Sequence, residues 1–257
     1  MGRWTDFAPD GHFGFDRKTV KKQWNRLHTR DQETLPDDAA LLDAWALFHN
    51  GQFQEARRIG LTLGDAGTTV ANKATCVYAA QMESREDERL ALYQWVSDRA
   101  AAQTLREPDN ANAHYLLAYS LGRYSQGISV AKALAQGMGS RIKMALETTM
   151  ALQPLHADAH FALGAFHAEI IDKVGALIGG MAYGARKDVS LQMFVQGFTL
   201  QPLSPGGLVE YAMALVMLEG EERQDEATAL CEKAASLKPL DAQEYLDIAR
   251  AKAGLGA

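Results

Sequence analysis

Three histidines stand close together in the sequence at a spacing that a metal site could use. His156, His160 and His167 follow one another at intervals of four and seven residues, which places them along one stripe of a helix. Imidazoles one helical turn apart, such as His156 and His160, can hold a zinc or nickel ion together, whereas Asp158 would lie on a different face and could not assist them. A metal protein or an enzyme built on this stripe is therefore one hypothesis.

Packing explains the same histidines at least as well as metal binding does. His160 stands six residues after Pro154, and His114 stands six residues after Pro108. The same position is bulky again in two later segments of the chain, and a position that needs only bulk points to a role in the core. We therefore predict no resident metal and no cofactor.

Other signatures of catalysis are weak in this chain. The glycine-containing stretches AQGMGS (135–140) and GALIGG (175–180) lack the preceding strand and the lysine that a phosphate-binding loop requires. Local context suggests no nucleophile with a neighbouring base. We predict that the protein is not an enzyme.

Composition excludes several other classes of function. The chain has a net charge of −6, with 47% hydrophobic and 23% charged residues, so it has no basic field for nucleic acid. Its longest uncharged run, residues 174–185, is well short of the roughly 20 residues that span a bilayer. Cys76 and Cys231 lie far apart in apolar helical patterns, and the N-terminal residues show no apolar signal segment. These features predict a cytoplasmic protein with buried thiols.

The elements that would position any site come from a repeat marked by proline. Four prolines begin similar segments, and a small residue stands ten positions after each of them. The prolines are Pro108, Pro154, Pro202 and Pro239, and the small residues are Ala118, Gly164, Ala212 and Ala249. Because proline ends a helix and a small residue lets two helices approach closely, each segment predicts a helix pair that must stack on its neighbours.

This pattern resembles the tetratricopeptide repeat. The positions that carry the resemblance in the second helices are Phe194, Gly197 and Leu200 before Pro202, and Ala227, Ala234 and Leu237 before Pro239. An earlier copy is AWALFHNGQFQEARRIG (44–60), in which Gly51 makes the turn. The resemblance covers residues 36–257 and implies stacked helix pairs.

The repeat departs from that family in its length. The prolines are 46, 48 and 37 residues apart, whereas the family repeats about every 34 residues. Two adjacent repeats therefore carry an insertion between their two helices, at residues 127–143 and 174–188. The enlarged unit at 159–202 also resembles the regulator of microtubule dynamics family, although no tubulin-contacting motif accompanies it.

The predicted architecture is an all-α superhelix of tetratricopeptide type, with about five or six helix pairs and extra helices inserted in the two central repeats. Residues 1–35 are predicted to form an N-terminal arm and a capping helix, and residues 36–257 the helical repeat domain. The capping helix is expected within residues 16–28, with Val20, Trp24 and Leu27 on its apolar side.

The resemblance also implies where a partner would bind. In tetratricopeptide arrays the first helix of each pair lines a concave groove, and by analogy a set of mostly apolar residues would do so here. These residues are Tyr115, Tyr119, Asp158, Phe161, Ala165, Glu169, Val209, Met213 and Val216. The lysines and asparagines that clamp a terminal carboxylate in chaperone-binding relatives are absent, which disfavours recognition of a carboxylate or a phosphate.

An apolar groove of this kind needs something to cover it. The leading hypothesis is a non-catalytic scaffold or assembly factor that binds a helix or hydrophobic segment of another protein. The alternative is a protein that binds a small apolar ligand in a cavity closed by the insertions. The insertions could also fill the groove themselves, and their glycines and alanines are compatible with a homodimer.

Overall fold

The computed structural model describes residues 4–7 and 13–256, and those residues form helices and turns with no strand. The all-α prediction is confirmed over this part of the chain. The helices are α1 (Arg17–Leu27), α2 (Ala39–His49), α3 (Phe53–Thr62), α4 (Thr68–Gln81), α5 (Glu86–Arg106), α6 (Ala111–Gln126), α7 (Val130–Ala135), α8 (Met138–Leu152), α9 (Ala157–Val174), α10 (Ala176–Tyr183), α11 (Lys187–Leu200), α12 (Pro205–Glu219), α13 (Gln224–Ala235) and α14 (Ala242–Leu255). Short 3₁₀ turns lie at Gly64–Gly67 and Gly220–Arg223.

Helix boundaries follow the repeat prolines. Helices α5, α8 and α11 each end two residues before a proline, because proline disfavours a helical backbone at the residue before it. The next helix then begins at a side chain that accepts a hydrogen bond from the first turn. Asn110 caps α6, His156 caps α9, Ser204 caps α12 and Asp241 caps α14.

Helices that are close in the chain pack together. We group them into pairs, α2 with α3, α4 with α5, α6 with α8, α9 with α11, and α12 with α13, and contacts of α3 with α4 and of α5 with α6 join successive pairs. Each insertion adds one short helix to its pair, α7 before α8 and α10 before α11. Gly164 of α9 allows the close approach of α11, since a Cβ there would lie 2.8 Å from the ring of Phe194.

The first helices of these five pairs, together with α14, form a closed ring. We call α2, α4, α6, α9, α12 and α14 the inner ring, because each contacts the next and α14 contacts both α2 and α4. Two hydrogen bonds join the ends: His49 Nδ1 lies 2.7 Å from Asp241 Oδ2, and Gln81 Nε2 donates to Asp247 Oδ1 at 3.0 Å. The predicted superhelix did not require such closure, since the ends of an open array do not meet.

The N-terminal segment packs on the ring. Val20, Trp24 and Leu27 of α1 are buried against the core, as their spacing predicts, and Trp4 stacks on Tyr78. Residues 1–3 and 8–12 of the predicted arm, and residue 257, lie outside the described residues. Within the described part, no helix combines the length and the apolar character needed to cross a bilayer.

Residues 28–33, which follow α1, enter the interior of the ring, and we call this segment the plug. The backbone oxygen of Arg30 accepts a hydrogen bond from the amide of Asp158 at the start of α9. Asn112 of α6 donates to the backbone oxygen of Asp31 at 3.0 Å. The plug turns at Gln32, whose φ of 50° lies in the left-handed region. The interior is therefore occupied at this end by the chain itself.

Candidate functional site

A cleft with a free volume of about 180 Å³ opens into the inner ring beside the plug. Its walls come mainly from α6, α9, α12 and α14, and α7 and α8 cover one side. This volume is many times the roughly 10–15 Å³ that one water molecule needs on the same measure. The cleft is therefore large enough for a small organic molecule.

One end of the cleft is apolar. Val130 and Leu134 of α7, Met138 and Ile142 of α8, and Ile170 of α9 line this part of the cleft. Helix α7 belongs to the first insertion, so this insertion provides a wall of the cleft and does not fill it. The enlargement of this repeat thus has a direct structural consequence at the candidate site.

Two arginines and one glutamate dominate the other end. Arg123 Nη2 donates to Glu210 Oε1 at 2.6 Å, and Arg250 Nη1 donates to the same oxygen at 3.0 Å. Burial alone would raise the pKa of Glu210, but the two guanidinium groups lower it to about 2. The Arg123 guanidinium also lies 5.2 Å from the ring centre of Tyr119. Two cations therefore share one anion at this end.

A second charged group lies where the plug meets the cleft. Arg30 Nε donates to Asp158 Oδ2 at 2.8 Å, and Arg30 Nη1 lies 3.6 Å from Asp247 Oδ2. That oxygen of Asp247 is buried and accepts no hydrogen bond from the described residues. Burial raises the pKa of Asp247 to about 6, against the opposing effect of Arg30. One cation, Arg30, thus contacts two carboxyl groups.

Behind the cleft, the plug takes part in a buried chain of polar contacts. Lys73 bonds to Asp31, whose Oδ1 lies 3.0 Å from His28 Nδ1. His28 Nε2 lies 3.3 Å from His49 Nε2, and His49 Nδ1 contacts Asp241. Burial lowers the pKa of His28 to about 4, which favours its neutral form.

The nine predicted groove residues divide into two sets. Six of them line the cleft: Tyr115, Tyr119, Asp158, Phe161, Ala165 and Glu169. Three on α12 do not. Val209 packs against the core residues of α13 and α14, Met213 contacts Arg250 through its sulfur, and Val216 is partly exposed. The reason is the orientation of α12, which presents Gly206, Gly207 and Glu210 to the cleft.

The three histidines considered as metal ligands each have a separate hydrogen-bond partner. His156 caps α9 and lies 3.1 Å from Asn112 Oδ1. His160 Nε2 lies 3.1 Å from the backbone oxygen of Pro154, and His167 Nδ1 accepts from the amide of Arg186. Because His156 precedes the helix, the three do not form one stripe. Among the described residues, no cluster of potential ligands has the geometry of a metal site.

The sequence already contained a signal for one of the missed residues. Arg250 stands eleven positions after Pro239, which is the repeat position of Tyr119 and Ala165. Extending the repeat into α14 would have found Arg250. It would have missed Asp247, because the groove position seven residues after Pro239 is Leu246.

Arg30 carried no comparable signal. It lies in a polar segment outside the repeat, and its partner Asp158 is 128 residues away. Only the folded arrangement brings them together.

No protein-family model matches this sequence, and no curated protein matches it either.

Proposed function

We propose that this protein binds a small ligand with an apolar portion inside the cleft. The observation that carries the proposal is the cleft itself: an interior space with an apolar end, a charged end and a wall supplied by an insertion. Ligand sites in proteins are concave and mostly apolar, with a few converging polar groups that fix orientation. The sequence alternative of a ligand cavity formed with the insertions thus becomes our first candidate.

The geometry favours this function over peptide binding along an open groove. A bound helix or extended segment needs a channel with free ends. Here α14 closes the inner ring against α2 and α4, and the plug occupies part of its interior. A small molecule fits such a space more readily than a polypeptide does.

The repeat family remains part of the proposal. A tetratricopeptide-type origin is supported by the proline spacing, by the small residues at helix contacts and by the five packed pairs. In this proposal two of the repeats are enlarged, and the array as a whole closes into a ring. The absence of a catalytic role and a cytoplasmic location stay predictions.

Native mass spectrometry of protein purified without detergent tests the ligand-binding function. We expect a reproducible adduct of a few hundred daltons, or uptake of the neutral dye Nile red by the ligand-free protein. Ala165→Trp would fill the cleft and abolish dye binding, because Ala165 lines it. Ala151→Trp, on the exposed side of α8, is the matched control and should leave binding intact. Equal dye binding by both variants would rule out the cleft as the site.

A second candidate, docking of another protein, rests on a different surface. Helix α10 of the second insertion exposes Leu177 by 77%, Ile178 by 59% and Met181 by 83%. Adjacent exposed apolar side chains of this size often mark an interface. If the partner is a second copy of this chain, sedimentation analysis will show a dimer that the double substitution Leu177→Glu and Met181→Glu dissociates. A monomer at all concentrations would exclude the homodimer.

A further inference from the structure

The polar end of the cleft has an uneven distribution of charge. Arg123 and Arg250 both bond to Glu210, and they bond to the same oxygen. Arg30 is a separate case, because it contacts two carboxyl groups, those of Asp158 and Asp247. The group formed by Arg123, Arg250 and Glu210, which we call the arginine pair site, therefore carries one formal positive charge more than its own carboxylate neutralises.

This excess is local to the arginine pair site. Over the whole cleft, four basic side chains face four carboxyl groups: Arg30, Arg123, Arg250 and Lys173, and Asp158, Glu169, Glu210 and Asp247. Glu169 also lines the cleft, where its Oε1 accepts a hydrogen bond from Gln126. Burial raises the pKa of Glu169, which disfavours its charged form. Lys173 lies on the same helix and adds a further positive charge at the cleft.

The two guanidinium groups still have donors to offer. Each guanidinium carries five N–H groups. Arg123 uses Nη2 on Glu210 and Nη1 on the Gln126 side-chain oxygen at 3.3 Å, while Arg250 uses Nη1 on Glu210 and Nη2 on the Met213 sulfur. Their side chains are 20% and 33% exposed, respectively, whereas that of Arg30 is 11% exposed. A ligand in the cleft can therefore reach donors of the arginine pair site.

The apolar end defines the rest of the ligand. Residues of α7 and α8, among them Leu134 and Ile142, line the same continuous cleft as Arg123 and Arg250. A molecule that fits both ends has a hydrocarbon portion and a polar group that accepts hydrogen bonds from the two guanidinium groups. One negative charge on that polar group matches the local excess at the arginine pair site.

We infer that the ligand is an amphipathic monocarboxylic acid, whose carboxylate bonds to Arg123 and Arg250 and whose hydrocarbon tail lies against α7 and α8. This inference rests on the proposed function and adds the chemical class of the ligand. Guanidinium groups bind carboxylates through short, charge-assisted hydrogen bonds, which supports this pairing. The sequence disfavoured a carboxylate because a known lysine and asparagine clamp is absent. The arginine pair site provides a cationic site of a different kind.

The experiment compares three probes that have hydrocarbon tails of seven or eight carbons and differ in head-group charge: octanoate, 1-octanol and octyltrimethylammonium. Titration calorimetry with the full chain at pH 7 gives their affinities. We expect octanoate to bind at least tenfold more tightly than the other two. Acetate, which has the head group without the tail, should bind at least tenfold more weakly than octanoate.

Two substitutions with opposite expected effects on octanoate affinity test the arginine pair site. Arg250→Gln should lower the affinity for octanoate at least tenfold and leave the affinity for 1-octanol unchanged. Glu210→Gln removes the competing carboxylate and should raise the affinity for octanoate. Arg58→Gln is the control for loss of an arginine, because Arg58 pairs with Glu55 on an exposed surface outside the cleft. Thermal unfolding of each variant verifies that it is folded.

The outcomes separate the two levels of the proposal. If octyltrimethylammonium binds as tightly as octanoate, or if Arg250→Gln weakens octanoate and 1-octanol equally, the carboxylate inference is wrong and binding of an apolar ligand stands. If none of the three probes binds, the proposed function fails, and the inference fails with it.

Discussion

Glu33 is a carboxyl group that the fold holds in an environment unfavourable to its charge. Its Oε2 accepts a hydrogen bond from Asn112 at 2.6 Å, and the ionised Asp31 is nearby. Burial, with a further contribution from Asp31, raises the pKa of Glu33 to about 8 from its ordinary value of 4.5. The plug therefore contains a residue that titrates near neutral pH in the folded protein.

The direction of the effect on stability follows from proton binding. Between pH 4.5 and 8 the folded state holds a proton on Glu33 that the unfolded state has released. The contribution of Glu33 to the free energy of unfolding is therefore fully present below pH 4.5 and is lost as the pH rises toward 8. Asp247, with a pKa of about 6, acts in the same direction at lower pH.

We predict that the urea concentration at the unfolding midpoint of the wild type decreases as the pH rises from 6.5 to 8. In Glu33→Gln, which keeps an acceptor for Asn112 and cannot ionise, the fall over this range should be clearly smaller. Glu55→Gln, at an exposed position, is the control and should retain the wild-type slope. The same slope in Glu33→Gln and the wild type would show that Glu33 does not ionise with folding.

At the scale of the helices, small residues decide how closely α9, α11 and α12 approach. The ring of Phe161 lies between two glycines: a Cβ at Gly197 would be 2.4 Å from it, and one at Gly207 would be 2.7 Å from it. These distances are shorter than carbon atoms tolerate, so neither position accepts a larger residue without movement of Phe161, which also lines the cleft. The packing of this region and the shape of the cleft are therefore linked.

The same substitution should have opposite effects at two helical glycines. Gly207→Ala should destabilise the protein by about 1–3 kcal/mol through overpacking. Gly122→Ala should stabilise it by roughly 0.5–1 kcal/mol, because alanine restricts the unfolded chain. A Cβ at Gly122 would contact nothing within 4 Å. Free energies of unfolding from urea titrations measure both effects. A neutral Gly207→Ala would mean that Phe161 moves freely.

Most of the helices could be predicted from the sequence, because their signals are local. Proline ends helices, small residues recur at helix contacts, and the apolar spacing of α1 identifies Val20, Trp24 and Leu27. The capping helix that the sequence predicts within residues 16–28 is α1, which spans Arg17–Leu27. Both insertions were found from the lengthened repeat.

The arrangement of those helices could not be predicted in the same way. Closure depends on pairs such as His49 with Asp241, which are 192 residues apart and belong to different repeats. The plug depends on Arg30 and Asp158 in the same manner. Such contacts leave no periodic signal, and a repeat pattern fixes each pair of helices better than the angle between successive pairs.

At the scale of the whole molecule, closure should couple the unfolding of the two ends. Tryptophans 4, 24, 45 and 95 all precede α6, whereas Cys231 lies in α13. Cys76 is buried, so a maleimide dye will label Cys231 selectively. We predict that tryptophan fluorescence and the dye report the same urea midpoint, because the inner ring has no free end from which to unfold.

Asp241→Asn tests the cause of this coupling. Asparagine keeps the cap of α14 but replaces the carboxylate oxygen that contacts His49 Nδ1. In this variant the dye at Cys231 should report a lower urea midpoint than tryptophan does. Separate midpoints already in the wild type would show that contact between α14 and α2 does not couple the two ends.

Closure also limits how this architecture can change in size. An open helical array gains or loses a repeat at its end, and the other repeats keep their contacts. Here each helix of the inner ring contacts a neighbour on either side, so removal of one pair would separate His49 from Asp241 and take Arg30 away from Asp158. The number of units is therefore fixed by geometry, and variation in this fold must come from lengthening a unit, as both insertions have done.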